Sequence, residues 1–349
     1  MSALILAVVL ALFYILLLWW ACRTLPGERW QMLAAVPVRK NGRDSWHGLN
    51  ITFYGFFSAG AFMIAGVFMI VMIGSLGIAP IDLLLIMAPL LSVSGLASRW
   101  IARLVEKKKQ TFTVAGAFFS ALIIMPWLVL LAGRMVEPSS GPSLEVVPAL
   151  AAMIIAYTIG EGLGRLACIS FGCCYGKPLA ECPALLQRLF QNRGFVFSGP
   201  TKKIAYAGGL DGQPVLPIQA VTSAVLVGIG LLGFYLFMQG RFAVALWTVL
   251  SISQGWRVFS ETLRADFRGG GRLTAYQVMA LTAVAYGGVA PLLFSTARLW
   301  PELALGLRAL WNPGVIIALQ VLWFTVLLYM GRSKVTASTI SFHVVTDQI

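Results

Sequence analysis

Apolar runs of bilayer length recur from one end of this chain to the other, and that repetition limits the fold more than any other feature. A segment needs roughly 20 apolar residues to cross the hydrocarbon core of a membrane. Inside that core the backbone must satisfy its own hydrogen bonds, which leaves helices or a closed barrel. The runs are continuous rather than alternating in polarity, so they read as helices. Nine candidate spans result, at 3–22, 51–73, 81–96, 112–132, 146–171, 218–238, 242–263, 276–294 and 313–330. The third is the shortest. The first sits where a signal peptide would, but it lacks a basic leading region. Trp19-Trp20-Ala21-Cys22-Arg23 reads as an interfacial anchor rather than a cleavage site. The expected fold is therefore an all-α polytopic membrane protein.

Charge agrees with that class and orders the loops. Charged residues make up 11% of the chain, against about 25% in a soluble domain. The net charge of +13 does not call for a nucleic-acid partner, because basic residues in a membrane protein report topology first. They fall in alternate connections: Arg23 to Arg43, Arg99 to Lys107-Lys108-Lys109, Lys177 to Lys203, Arg264 to Arg272, and Arg332 with Lys334. Connections of the other parity hold only Arg134, Arg241, Arg298 and Arg308. The positive-inside rule then puts the amino terminus outside and the carboxyl terminus inside.

An ionisable residue within a span is costly and is read as functional by default. Two such pairs occur. In Ile159-Gly160-Glu161-Gly162-Leu163-Gly164-Arg165, Glu161 and Arg165 share one helix face and can pair. In Arg257-Val258-Phe259-Ser260-Glu261, the spacing recurs in reverse order. Two self-neutralised pairs holding a bundle together is one reading. The other is that two arginines converge on an apolar site, where a guanidinium fork fits a lipid phosphate. Cys168, Cys173, Cys174 and Cys182 crowd the stretch that follows. Their C-x4-C-C-x7-C pattern is not a standard zinc spacing and no histidine adjoins it, so neither a metal nor another cofactor is expected. Buried thiols are inert, whereas one close to Arg165 would be more acidic and reactive.

At these residues the chain resembles the prolipoprotein diacylglyceryl transferase family, in a divergent branch with the signature G-R-x-x-C-x-x-x-G-C-C-Y-G. Gly164-Arg165 through Gly176 carries that signature. Ile51-Thr52-Phe53-Tyr54-Gly55 resembles the family's first-span motif, and Pro217-Ile218-Gln219 part of its H-P-x-Q-x-Y-E motif. Arg257 to Arg264 resembles R-F-x-x-E-x-x-R, and Leu273-Thr274-Ala275-Tyr276-Gln277 the helix start after it.

The resemblance implies a diacylglyceryl-transferase-like core at 51–296 with a head at 176–214. An extra helix and basic loop at 1–50, and an extra helix and tail at 297–349, flank it. It implies transfer of a diacylglyceryl group from phosphatidylglycerol to an acceptor, in a bacterial inner membrane. Arg165, Arg257, Glu161 and Glu261 are the implied catalytic set; Tyr54, Gln219, Arg264, Cys168 and Gly172 would meet the lipid.

Departures from the family pattern concern its acid–base chemistry. Thr113-Val114-Ala115-Gly116-Ala117 stands where the family has its histidine motif. Cys168 replaces an asparagine and Cys173 a glutamate, while Leu216 replaces a histidine and Val221 a tyrosine. Glu161 and His47 are the bases that remain. The resemblance also puts the segment after Gly176 on the outer face, against the charge count. A lipid-binding or lipid-transport protein that kept the phosphate pocket without the chemistry is the alternative function.

Overall fold

The computed structural model describes residues 2–42, 44–106, 113–135, 143–266, 273–294 and 299–349. Lys107, Lys108, Lys109, Arg43, Arg268, Arg272 and Arg298 lie outside these residues. The chain forms α1 (Ala3–Thr24), β1 (Met32–Lys40), β2 (Ser45–Thr52), α2 (Phe53–Gly74), α3 (Pro80–Glu106), α4 (Val114–Met135) and α5 (Val146–Phe171). The head holds α6 (Ala184–Phe190), β3 (Phe195–Val196), α7 (Lys203–Gly208) and β4 (Pro214–Val215). Then come α8 (Ile218–Met238), α9 (Phe242–Glu261), α10 (Ala275–Leu293), α11 (Leu303–Leu310), α12 (Pro313–Gly331) and β5 (Arg332–Ser341).

Eight of these helices are long and apolar enough to cross a membrane, so the chain is a multi-pass α-helical membrane protein. The ninth expected span is α9. Its 20 residues reach about 30 Å at 1.5 Å per residue, the thickness of the hydrocarbon core. Ser253, Gln254, Arg257 and Glu261 dilute its apolarity. It is seated between α5, α8 and α10 rather than facing lipid all round.

Helix α5 is the axis. Its most apolar window is 89% buried, against 11% for α1 and 17% for α12. Helices α2, α8, α9 and α4 surround it, with α12 and α11 outside α2, α1 outside α8, and α3 and α10 against α4. The core is made of side chains such as Met72, Leu122, Leu150, Ile154, Phe234 and Leu250, all buried. Apolar packing does not drive helices together within lipid. Small residues and interhelical hydrogen bonds do more of that work there. One bonded chain runs from the Tyr14 hydroxyl to Ser223 Oγ at 2.7 Å, and from Ser223 to the Gly162 carbonyl at 2.5 Å. It ties α1 through α8 to α5.

Two elements differ from the sequence expectation. Helix α3 runs to Glu106 rather than stopping near 96, because polarity ends an apolar run without ending a helix. Its Arg99 reaches the Tyr329 hydroxyl of α12 at 2.9 Å. The other is a three-stranded antiparallel sheet in the order β1-β2-β5, within segments read as loop and tail. His47 pairs across it with Arg39 and with Thr339.

The sheet and the head lie at one end of the bundle. Pairing of β2 with β5 joins the segment after α1 to the segment after α12. Lys202 of the head is wholly buried, and its ammonium donates to the carbonyls of Leu25 at 3.2 Å and Ser170 at 2.6 Å. Those carbonyls close the ends of α1 and α5, where the helix dipole favours a cation. The connections after α1, α5 and α12 thus share a face, as their alternate basic charge implied. Lys202 itself is not one of the exposed charges.

Burial pushes Lys202 down to about 8, with the Glu28 carboxylate opposing that shift. Below pH 8 native and unfolded lysines are both charged, and the cost of burying the ammonium is carried in full. Between about 8 and the unfolded value near 10.4 the unfolded chain binds more protons, so stability rises with pH. At about 1.4 kcal/mol per unit the window is worth about 3 kcal/mol. Unfolding of the detergent-purified protein at pH 7 to 10 should therefore show the wild type gaining on Lys202→Gln by that order. A parallel pH dependence of the two would refute it.

Candidate functional site

Glu161 sits in the middle of the central helix, between two glycines that let neighbours approach. A Cβ on Gly160 would lie 2.9 Å from Ala65 Cβ of α2, and one on Gly162 2.7 Å from Val227 Cγ2 of α8. With both sides of α5 closed this tightly, the Glu161 carboxylate is held in a dry interior. Its side chain is 6% exposed.

Both carboxylate oxygens are engaged. Arg165, one turn on along α5, donates to Oε1, as its spacing predicts. Arg257 of α9 donates to Oε2 and also to the Tyr157 hydroxyl, at 2.8 Å. The expected pairing of Arg257 with Glu261 is thus corrected: Arg257 crosses between helices, and Glu261 pairs with Arg264 at 2.9 Å. The physical reason is that one buried carboxylate offers two acceptors, and charge-assisted bonds to both are the strongest arrangement open to it. The Arg165 and Arg257 side chains are 13% and 12% exposed. The three side chains together carry a formal charge of +1, from two guanidiniums and one carboxylate.

Sequence reasoning missed Tyr157. It lies one turn before Glu161, and its ring stacks on Phe118 of α4 with centroids 4.2 Å apart. Its i, i+4 spacing to Glu161 was the available signal.

Of the other expected residues, Tyr54, Cys168 and Glu261 lie within electrostatic range of this trio, and Gln219 and Gly172 belong to the turn that follows α5. Tyr54 opens α2, packs edge-on to Phe171 with ring centroids 5.6 Å apart, and lies within electrostatic range of Arg165, Cys168, Cys173 and Cys174. Gln219 opens α8 and is buried; its amide donates to the Cys173 carbonyl at 3.0 Å, while its Oε1 has no partner among the described residues. Gly172 ends α5 in the left-handed region with φ 68°, and the Cys173 amide returns to the Cys168 carbonyl at 3.0 Å. That is a Schellman stop, for which glycine is suited.

Backbone bonds then knit the signature loop to both later motifs. Lys177 donates to Leu263 at 3.1 Å, Ala265 to Tyr175 at 3.1 Å, and Leu216 to Lys177 at 2.9 Å. Gln277, in the capping box of α10, donates to the Val258 carbonyl at 3.0 Å.

His47 stands apart. It is exposed on β2, five strand residues before Thr52, which is roughly 16 Å at about 3.3 Å per residue. Neither Thr113 nor Leu216 offers acid–base chemistry. Thr113 is buried at the start of α4 and bonded to Ser98 of α3, and Leu216 is buried against Leu179 and Cys182.

The cysteines that crowd this stretch of sequence also meet in space: the sulfur atoms of Cys168, Cys173 and Cys174 all lie within 4.8 Å of one another. Hydrogen bonding with the Cys168 and Cys174 thiols, and then burial, holds the Cys173 thiol well above its usual range, opposite to the acidity expected beside Arg165. Lys203, at the start of α7, is disfavoured as a cation by burial. Cys173, Cys174, Asp266 and Tyr206 around it outweigh that and raise it.

No family model, curated protein or solved structure matches this chain.

Breaking one member of a buried ion group leaves the others uncompensated, at about 3–5 kcal/mol. Glu161→Ala and Arg257→Ala should each lower unfolding stability in detergent by about 3 kcal/mol or more. Their combination should fall well short of the sum, because both remove one interaction. Additive losses would show that the two residues act separately.

Proposed function

We propose that the chain binds the phosphate of an anionic glycerophospholipid between Arg165 and Arg257 and transfers a diacylglyceryl or related group from it, with phosphatidylglycerol as donor. One observation carries this reading: two guanidinium groups from separate helices, α5 and α9, meet deep in an apolar bundle around a single carboxylate. Cations at that depth mark a binding site by default, and a planar fork suits phosphate oxygens. The resemblance of four motifs to the diacylglyceryl transferases supports it, and three of them adjoin one another through backbone bonds at Tyr175, Lys177, Leu216, Leu263 and Ala265.

In this reading the acceptor's nucleophile attacks the glyceryl carbon attached to the phosphate oxygen. That C–O bond breaks, its electron pair stays on the departing glycerol phosphate, and the nucleophile's proton passes to the phosphate or to water. Arg165 and Arg257 stabilise the charge that grows on the phosphate. Glu161 positions both guanidiniums. The partnerless Oε1 of Gln219 suits a hydroxyl donor of a glycerol headgroup, and Tyr54 flanks it. The acceptor arrives at the head, on the outer face of a bacterial inner membrane.

A second reading, lipid binding without turnover, has its own support. Both Glu161 oxygens already accept from guanidiniums, and Leu216 is apolar where the resembled family has histidine.

One experiment separates them. Lipids retained by the purified protein are identified by mass spectrometry, and release of water-soluble phosphate ester from labelled phosphatidylglycerol is followed with membranes and extract as acceptor source. Arg165→Lys and Arg257→Lys keep the cation but lose the fork. Each should weaken retention by about tenfold or more, since bonds to charged groups are worth about 1.5–3 kcal/mol. Retention with release establishes transfer, retention without release establishes binding alone, and neither ends both readings.

The side of the membrane is tested by an impermeant thiol reagent acting on Asp211→Cys, at an exposed position in the head. Labelling of intact cells is expected. Labelling only after lysis would put the head inside, as the basic loops alone suggest.

A further inference from the structure

The lipid reading gives Cys173 and Cys174 no role and Cys168 no more than a contact, and the geometry of the three thiols does not arise from helix periodicity. Cys168 belongs to the last turn of α5, whereas Cys173 and Cys174 follow its end. To return to Cys168 the chain takes two left-handed residues, Gly172 at φ 68° and Cys174 at φ 54°. Cys174 is the one non-glycine with positive φ among the described residues. A side chain in that region is strained, so other contacts must hold it there. They do: the Cys173 amide is fixed by the Cys168 carbonyl, and the Cys173 carbonyl by Gln219, at 3.0 Å each. The turn is therefore set by bonds that leave the sulfurs to each other.

We propose that Cys168, Cys173 and Cys174 form a three-thiolate site for a soft monovalent cation, copper(I). With metal–sulfur bonds of about 2.3 Å, three sulfurs around one ion in a plane sit about 4 Å apart. The observed cluster, within 4.8 Å, needs closing by less than an ångström. Three soft donors, with no fourth His, Cys, Asp or Glu joining them among the described residues, suit copper(I). Structural zinc takes four ligands, commonly including histidine. The two histidines of this chain, His47 and His343, are exposed in or beside the sheet.

Three thiolates and one copper(I) carry a charge of −2. Lys203, whose electrostatic partners include Cys173 and Cys174, and Arg165, beside Cys168, offset it. Each thiol gives its proton to the buffer as the metal binds, and no electron is transferred. Cys168 and Cys173 are buried and Cys174 is half-buried, which gives the ion an entry on the Cys174 side.

The full chain, purified in detergent under anaerobic reducing conditions, would be titrated with copper(I) against a colorimetric copper(I) chelator. One copper(I) per chain should be held, with a rise in thermal stability that any specific ligand of the folded state produces. Cys173→Ser and Cys174→Ser should each weaken it by at least about 100-fold, while Cys22→Ser and Cys182→Ser leave it unchanged. Failure of the wild type to hold copper(I) would overturn the site, and so would equal affinity in Cys173→Ser, Cys174→Ser and the wild type. Zinc(II) held in its place, or a disulfide within the trio in protein isolated without reductant and inert to copper(I), would also overturn it. Lipid retention is read separately, so failure here leaves the phosphate reading untouched.

Discussion

A carboxylate shared between two guanidinium groups is the interaction on which most of this structure depends. In a medium of low dielectric none of the three charges is tolerable alone. Glu161 draws Arg257, and with it α9, onto the central helix, and Tyr157 extends the link to α4 through its stacking on Phe118. A helix as polar as α9 has a place inside the bundle only because of that contact. The small residues beside Glu161 are the other half of the arrangement. They bring α2 and α8 against α5 and leave little room for water around the charges.

The residues nearest this trio come from segments far apart in the chain, and main-chain bonding rather than side-chain affinity gathers them. The turn after α5 is laced to the exit of α9 and to the approach to α8, so Gln219 and the cysteines are set by the course of the backbone. Side chains placed this way can be exchanged without dismantling the loop.

Much of the fold is legible in the sequence because lipid is a demanding solvent. Spans 146–171 and 218–238 can be read to the residue, since Gly172 and Pro217 punctuate them. Where polarity and helicity part, as in α3 beyond residue 96, hydropathy stops too early. The sheet went unread because β1 is mostly exposed and three of the half-buried positions of β5 are polar, at Ser333, Thr336 and Ser338. Among site residues, Glu161 with Arg165 follows from helical spacing. Arg257 with Glu261 has the same spacing and does not pair, because a local rule cannot see a stronger partner on another helix. Nothing in the letters shows that Cys174 adopts a left-handed backbone, and with it the meeting of the three sulfurs stays hidden.

Strand β2 lies in the middle of its sheet, with β1 beside it in sequence and β5 on its far edge. The last residue of β2 and the first of β5 are 280 positions apart, from 52 to 332. A ribosome adding about 5–20 residues per second needs roughly 15 to 60 seconds to cover that distance. Throughout that interval β2 presents an unpaired edge, the kind of surface that recruits foreign strands. The final ten residues of pairing do more than decorate the tail. They close a seam left open while the intervening stretch is made, and any pause within that stretch lengthens the time it stays open.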